Sequence, residues 1–114
     1  MIKGIGTDIV DIERVRKAMS EAFLAKVLSK EELERTASMT EERKLQFTAG
    51  RFAAKEAIIK ALSGYEVPVM NRLNIINDEN GRPQIEYKDY QLLISISHEK
   101  TYAVAFALLQ ETER

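Results

Sequence analysis

The chain has 114 residues, 45% of them hydrophobic and 31% charged, with a formal net charge of -1, which is the balance of one ordinary globular domain spanning 1–114 and excludes collagen-like or disordered sequence. The near-neutral charge gives no footprint for wholesale nucleic-acid binding, and zero cysteines exclude disulfides, thiolate metal sites and a cysteine nucleophile. The start Met1-Ile2-Lys3-Gly4 lacks an apolar leader and no stretch approaches a membrane span, so a cytoplasmic protein without a membrane partner is expected.

Ile2 to Val10 reads as a strand in which Gly4 and Gly6 allow close approach of another backbone or a ligand, with Asp8 near its end. Asp11 caps a helix from Ile12 to about Ser20 that buries Ile12, Val15 and Met19 and gathers Arg14 and Lys17 on another side. A brief helix over Ala22 to Leu28 follows, and Ser29-Lys30-Glu31-Glu32 has capping-box spacing for a third helix that fades near Ser38 and Met39.

Thr40 caps the longest helix, with Glu41 and Glu42 in its first turn and Gly64 at its end. Leu45, Ala49, Phe52 and Ile59 form one apolar stripe with Glu56 in its middle. A carboxylate there calls for a cation, a metal or a wet cleft opposite it; the plainer alternative is an i, i+4 pair with Lys60. Phe47, Ala54, Ile58, Ala61 and Leu62 make a second apolar side, which places this helix between two layers. Gly50 points to close contact with another backbone, and Arg51 and Lys55 share the polar flank.

Tyr65 to Arg72 is irregular. Strands are predicted at Leu73 to Asn77 and Gln84 to Tyr87, around the hairpin signal Asn80-Gly81, and at Leu92 to Ser97 and Tyr102 to Leu109, with a polar tail from Glu111 to Arg114. The turn His98-Glu99-Lys100-Thr101 holds the sole histidine. One strand, several helices including a long central one, and then an antiparallel β meander make an α+β fold. A fold of this size hides only about two thirds of its unfolded surface, so a ligand site is shallow or is completed by a second copy of the chain.

Asp8 and Glu56 together suit a hard cation such as Mg²⁺. Lys60, Arg51, Arg43 and Lys44 are candidate phosphate anchors, and His98, Ser95 and Ser97 candidate neutral donors. That inventory fits a phosphorylated or pyrophosphate ligand and leaves three classes open: a group transferase, a Mg²⁺-dependent phosphatase or nuclease, and a non-catalytic binding module. A serine-protease arrangement is discounted, because Ser97 and His98 point to opposite faces of a strand.

Gly4-Ile5-Gly6-Thr7-Asp8-Ile9-Val10, Phe52-Ala53-Ala54-Lys55-Glu56-Ala57 with Lys60-Ala61, Asn80-Gly81-Arg82-Pro83 and Ile94-Ser95-Ile96-Ser97-His98 together resemble the holo-[acyl-carrier-protein] synthases, the short 4'-phosphopantetheinyl transferases. The resemblance implies transfer of 4'-phosphopantetheine from coenzyme A to a serine of apo acyl carrier protein in fatty acid biosynthesis, with Mg²⁺ and release of adenosine 3',5'-bisphosphate. It implies a homotrimer with active sites between subunits. By the same resemblance Asp8 and Glu56 are metal ligands and Lys60 lies near the pyrophosphate. Arg51 and His98 hold the adenosine bisphosphate end, helped by Arg43 and Lys44, and Arg14 contacts the carrier. Glu56 is expected to take the serine proton, with Asp8 as the alternative. Three departures stand out: Leu62-Ser63-Gly64-Tyr65 keeps one glycine of the family's loop, Glu99 replaces a small hydroxyl residue, and the segment from Gln84 to Leu93 is a few residues short for the family's intervening helix.

Overall fold

The computed structural model describes residues 1–88 and 90–111. Its elements are β1 (Ile2–Asp11), α1 (Ile12–Ala18), α2 (Glu21–Val27), α3 (Lys30–Thr36), α4 (Glu41–Ala61), a 3-10 turn (Met70–Arg72), β2 (Ile76–Asn77), β3 (Pro83–Tyr87), β4 (Tyr90–His98) and β5 (Tyr102–Glu111). The five strands form one antiparallel sheet in the order β1-β5-β4-β3-β2, so the first strand closes the meander by pairing with the last. The α+β expectation holds.

Each helix begins on a residue whose side chain can satisfy an otherwise unpaired backbone N–H. Asp11, Ser20, Ser29 and Thr40 accept from Glu13, Phe23, Glu32 and Arg43 respectively. At α3 the bonding is reciprocal, because the Glu32 carboxylate also accepts the Ser29 N–H at 2.8 Å. α4 ends at Leu62, and Gly64 follows in a turn with φ of +90°.

α4 lies across β1, β5 and β4 on one side and meets α1 and α2 on the other, which is the two-layer position its second apolar side predicts. Along β5 the alternation is strict: Ala103, Ala105, Ala107 and Leu109 face α4 and are buried, while Tyr102, Val104 and Phe106 face away and are exposed. Small residues under the helix let it sit close. β1 goes further, because a Cβ on Gly6 would stand 2.0 Å from the Ala57 carbonyl oxygen and one on Gly4 2.1 Å from that of Ala61. Gly50 differs from its expectation: what its Cβ would meet is the Ile96 side chain, at 3.3 Å, and not a backbone.

Some boundaries differ from the sequence reading. β2 holds only Ile76 and Asn77, because Leu73 and Ile75 are buried in the core without a strand partner. α1 stops at Ala18, two residues early. β4 extends through His98, which pairs with Ala103, so the histidine ends a strand and does not open the turn. Glu111 closes β5, and residues 112–114 of the expected tail lie outside the described residues.

Replacing Gly6 by Ala is expected to destabilise the fold by about 1–3 kcal/mol, since the obstacle is a helix backbone that cannot rotate aside. Urea unfolding measures this; an unchanged midpoint would show that α4 can lift off β1 without loss.

Candidate active site

Two clefts run beside α4. One, of about 410 Å³, is lined by Asp8 from β1, Arg14, Val15 and Ala18 from α1, Phe23 from α2, and Phe52 and Glu56 from α4. Asp8 reaches it because even-numbered residues of β1 face the helix, and Glu56 because it lies on the edge of α4 beside α1 and β1. The two carboxylates expected to meet do share a cleft. Glu56 is half-buried, not enclosed in the apolar stripe. Lys60 reaches away from it to β1, donating to the Thr7 carbonyl at 2.9 Å and pairing with Asp8 at 3.2 Å, which replaces the i, i+4 pair with Glu56 considered from the sequence.

The donors available to a metal here are carboxylate oxygens. Among the described residues no three His, Cys, Asp or Glu side chains cluster closely enough to form a cage. Two carboxylates with room beside them fit Mg²⁺, which keeps waters and ligand oxygens in most of its positions.

The second cleft, of about 170 Å³, is lined by Arg43, Phe47 and Arg51 of α4, by Asn77 and by His98, among others. It brings Arg43, Arg51 and His98 together as expected. Lys44 does not line it. Nor do Ser95 and Ser97, which face the other side of the sheet from α4.

Sequence reasoning placed Arg51 and Lys55 on a polar flank, and here the structure corrects it. Lys55 is 0% exposed and Arg51 only 7%. The Lys55 ammonium donates to the Val27 carbonyl at 2.7 Å and to Glu32 Oε1 at 2.6 Å. Glu32, 1% exposed, also accepts the Ile75 N–H at 3.0 Å through Oε2, which lies 3.6 Å from Arg51 Nε. Arg51 Nη2 donates to Asn77 Oδ1 at 3.1 Å, and its guanidinium carbon sits 4.6 Å from the centre of the Phe47 ring. Burial lowers the pKa of Lys55 against the opposing pull of Glu32. Burial likewise lowers that of Arg51 to about 10, with Glu32 raising it and Arg35 and Arg43 adding to the decrease. Arg51 remains a cation at neutral pH. The signal for Glu32 was its N3 position in the capping box; its role as a counter-ion depends on α4 and on the segment at Ile75.

A family model described as "4'-phosphopantetheinyl transferase superfamily" matches residues 4–107. The chain belongs to this superfamily. Curated relatives named holo-[acyl-carrier-protein] synthase share 40% identity over 96% of this chain and 98% of the relative in Geobacillus sp. (strain WCH70), and 38% over 98% of both chains in Staphylococcus aureus (strain JH9). A crystal structure of holo-(acyl-carrier-protein) synthase from Bacillus anthracis in complex with CoA (3',5'-ADP) superposes with a TM-score of 0.88 at 35% identity, covering 99% of both chains. The chain is therefore an enzyme, a phosphopantetheinyl transferase, and its recognition from four sequence motifs stands.

In this transferase Lys55→Met takes from the buried Glu32 carboxylate its nearer cation, leaving Arg51 at 3.6 Å, and a loss of roughly 3–5 kcal/mol is expected. The double variant Glu32→Gln, Lys55→Met removes both charges and should recover much of it. Chemical denaturation of the two variants checks this, and equal losses would show that the charge pair is not the source.

Proposed function

We propose that the chain transfers the 4'-phosphopantetheine group of coenzyme A to a serine hydroxyl of an apo acyl carrier protein of fatty acid synthesis, with Mg²⁺, releasing adenosine 3',5'-bisphosphate. What carries the reading is the sharing of one cleft by Asp8, Glu56 and Arg14, with the cationic cleft of Arg43, Arg51 and His98 farther along the same helix, in a chain of transferase ancestry.

Asp8 and Glu56 would hold the metal, whose chemistry is to offset pyrophosphate charge and orient the reacting phosphorus. Glu56, half-buried beside open space, takes the serine proton directly or through a water as the serine oxygen attacks the β-phosphorus; Asp8 is the alternative base. The bond from that phosphorus to the bridging oxygen breaks, and the electron pair leaves with adenosine 3',5'-bisphosphate. Lys60 is long and more than half exposed beyond its contact with Asp8, free to place its charge on the pyrophosphate. Arg43, Arg51 and His98 hold the adenosine bisphosphate. Arg14, on the rim of the carboxylate cleft, meets an acidic carrier surface, and Lys44 assists from outside the nucleotide cleft.

The sheet face turned away from α4 supports a homotrimer. Ile5 and Ile9 of β1, Leu93 of β4, and Val104 and Phe106 of β5 are all at least 40% exposed, and the register sets Ile9 opposite Val104 and both Ile5 and Leu93 opposite Leu108. A continuous apolar patch across three strands marks an interaction surface. Covering it with further copies would also deepen clefts that a chain of this length leaves shallow. A cytoplasmic location accords with the absence, among the described residues, of a helix long and apolar enough to cross a membrane.

Incubation with coenzyme A, Mg²⁺ and an apo carrier protein should add the phosphopantetheine mass to the carrier, and chelation should stop it. No mass gain on any carrier tested, or phosphate release without an acceptor, would remove the reading. Glu56→Gln is expected to cut transfer roughly 10²-fold or more without unfolding the chain, and Arg14→Glu to raise KM for the carrier but not for coenzyme A. Light scattering is expected to give three times the chain mass, falling towards one in Phe106→Glu; a monomeric wild type would sink the trimer.

A further inference from the structure

We propose that Glu32 is the positioning residue for Arg51, holding its guanidinium for the 3'-phosphate of coenzyme A, an inference that rests on the transferase reading and on Arg51 contacting the nucleotide end. Glu32 is not itself a lining residue of the arginine cleft. It acts from behind.

The carboxylate is fixed at both oxygens. Oε1 accepts from the Ser29 N–H at 2.8 Å and the Lys55 ammonium at 2.6 Å, and Oε2 accepts from the Ile75 N–H at 3.0 Å. Its charge therefore cannot move, and Arg51 Nε lies 3.6 Å from Oε2. That nitrogen is buried and makes no hydrogen bond, so Glu32 holds it by charge and not by a directed bond. Nη2 is occupied by Asn77 and, at 3.5 Å, by the Ile75 carbonyl. Nη1 has no hydrogen-bonding partner among the described residues and is the nitrogen left for a ligand.

Without Glu32, Arg51 would be a mostly buried cation with Arg35, Arg43 and Lys55 nearby, each of which opposes its charge. Such a side chain escapes to water. With Glu32 it stays against Phe47, facing a cleft lined by no carboxylate. A phosphate monoester dianion suits that surroundings. The pyrophosphate belongs instead to the cleft with Asp8 and Glu56.

The test compares coenzyme A with 3'-dephospho-coenzyme A at saturating carrier, in wild type, Arg51→Met, the double variant Glu32→Gln, Lys55→Met, and the triple variant. Wild type should prefer coenzyme A, and Arg51→Met should lose that preference. The double variant, which leaves no unpaired buried ammonium, should raise KM for coenzyme A roughly tenfold or more, with KM for the carrier and KM for the dephospho donor unchanged. Adding Arg51→Met to it should change nothing further, as expected if Glu32 works only through Arg51.

A preference retained by the double variant overturns the proposal while leaving the role of Arg51 intact, as does a further loss in the triple variant. If Arg51→Met itself keeps the preference, the assignment of Arg51 falls and the proposal with it. Should the double variant not fold, Glu32→Asp, which keeps the charge but withdraws it by one methylene, gives the same readout: a partial loss of preference supports the positioning role and an unchanged preference overturns it.

Discussion

The closeness of α4 to β1 is the constraint from which the site follows. Two helix carbonyls, of Ala57 and Ala61, stand where Gly6 and Gly4 would otherwise carry Cβ atoms. Asp8 is two residues on from Gly6, and Glu56 and Lys60 each adjoin one of those alanines in the sequence. The contact that joins the layers thus also decides how near the acid of the strand lies to the acid and the lysine of the helix. The buried alanines of β5 extend the same shallow bed beneath α4.

A second link ties the helical layer together. Glu32 joins α3, through its own cap, to Lys55 and Arg51 on α4 and to the backbone at Ile75. Taking these charges out of water is expensive, and a well-packed apolar cluster of equal volume often serves stability as well or better. Its presence beside the arginine cleft is easier to understand as orientation than as cohesion.

Much of this architecture was legible in the chain itself. Caps at Asp11, Ser29 and Thr40, the hairpin at Asn80-Gly81 and the alternation of β5 are local signals with local causes, and each appears in the fold. The setting of α4 between two layers was read from its second apolar side, but its charged residues were harder to place, because a helix packed on two sides has no broad polar face. Lys55 was assigned to solvent on charge alone, although its partner Glu32 lies 23 residues away. Leu73 and Ile75 show a strand's apolar pattern yet have no strand beside them, which periodicity cannot register. Of the site, the convergence of Asp8 with Glu56 and of Arg43 and Arg51 with His98 was foreseen by resemblance. The sheet-side orientation of Ser95 and Ser97 follows from alternation relative to His98, and the same alternation had already separated Ser97 from it.

Lys55 immediately precedes Glu56, and successive residues on a helix point about 100° apart. With its ammonium bound to both the Val27 carbonyl and Glu32, Lys55 works as a key against rolling of α4 about its own axis. Any roll that carried Glu56 out of its cleft would drag a charge from its only hydration substitute. The acid is thereby aimed in advance, so that a donor and a carrier arriving together need not spend binding energy on turning it.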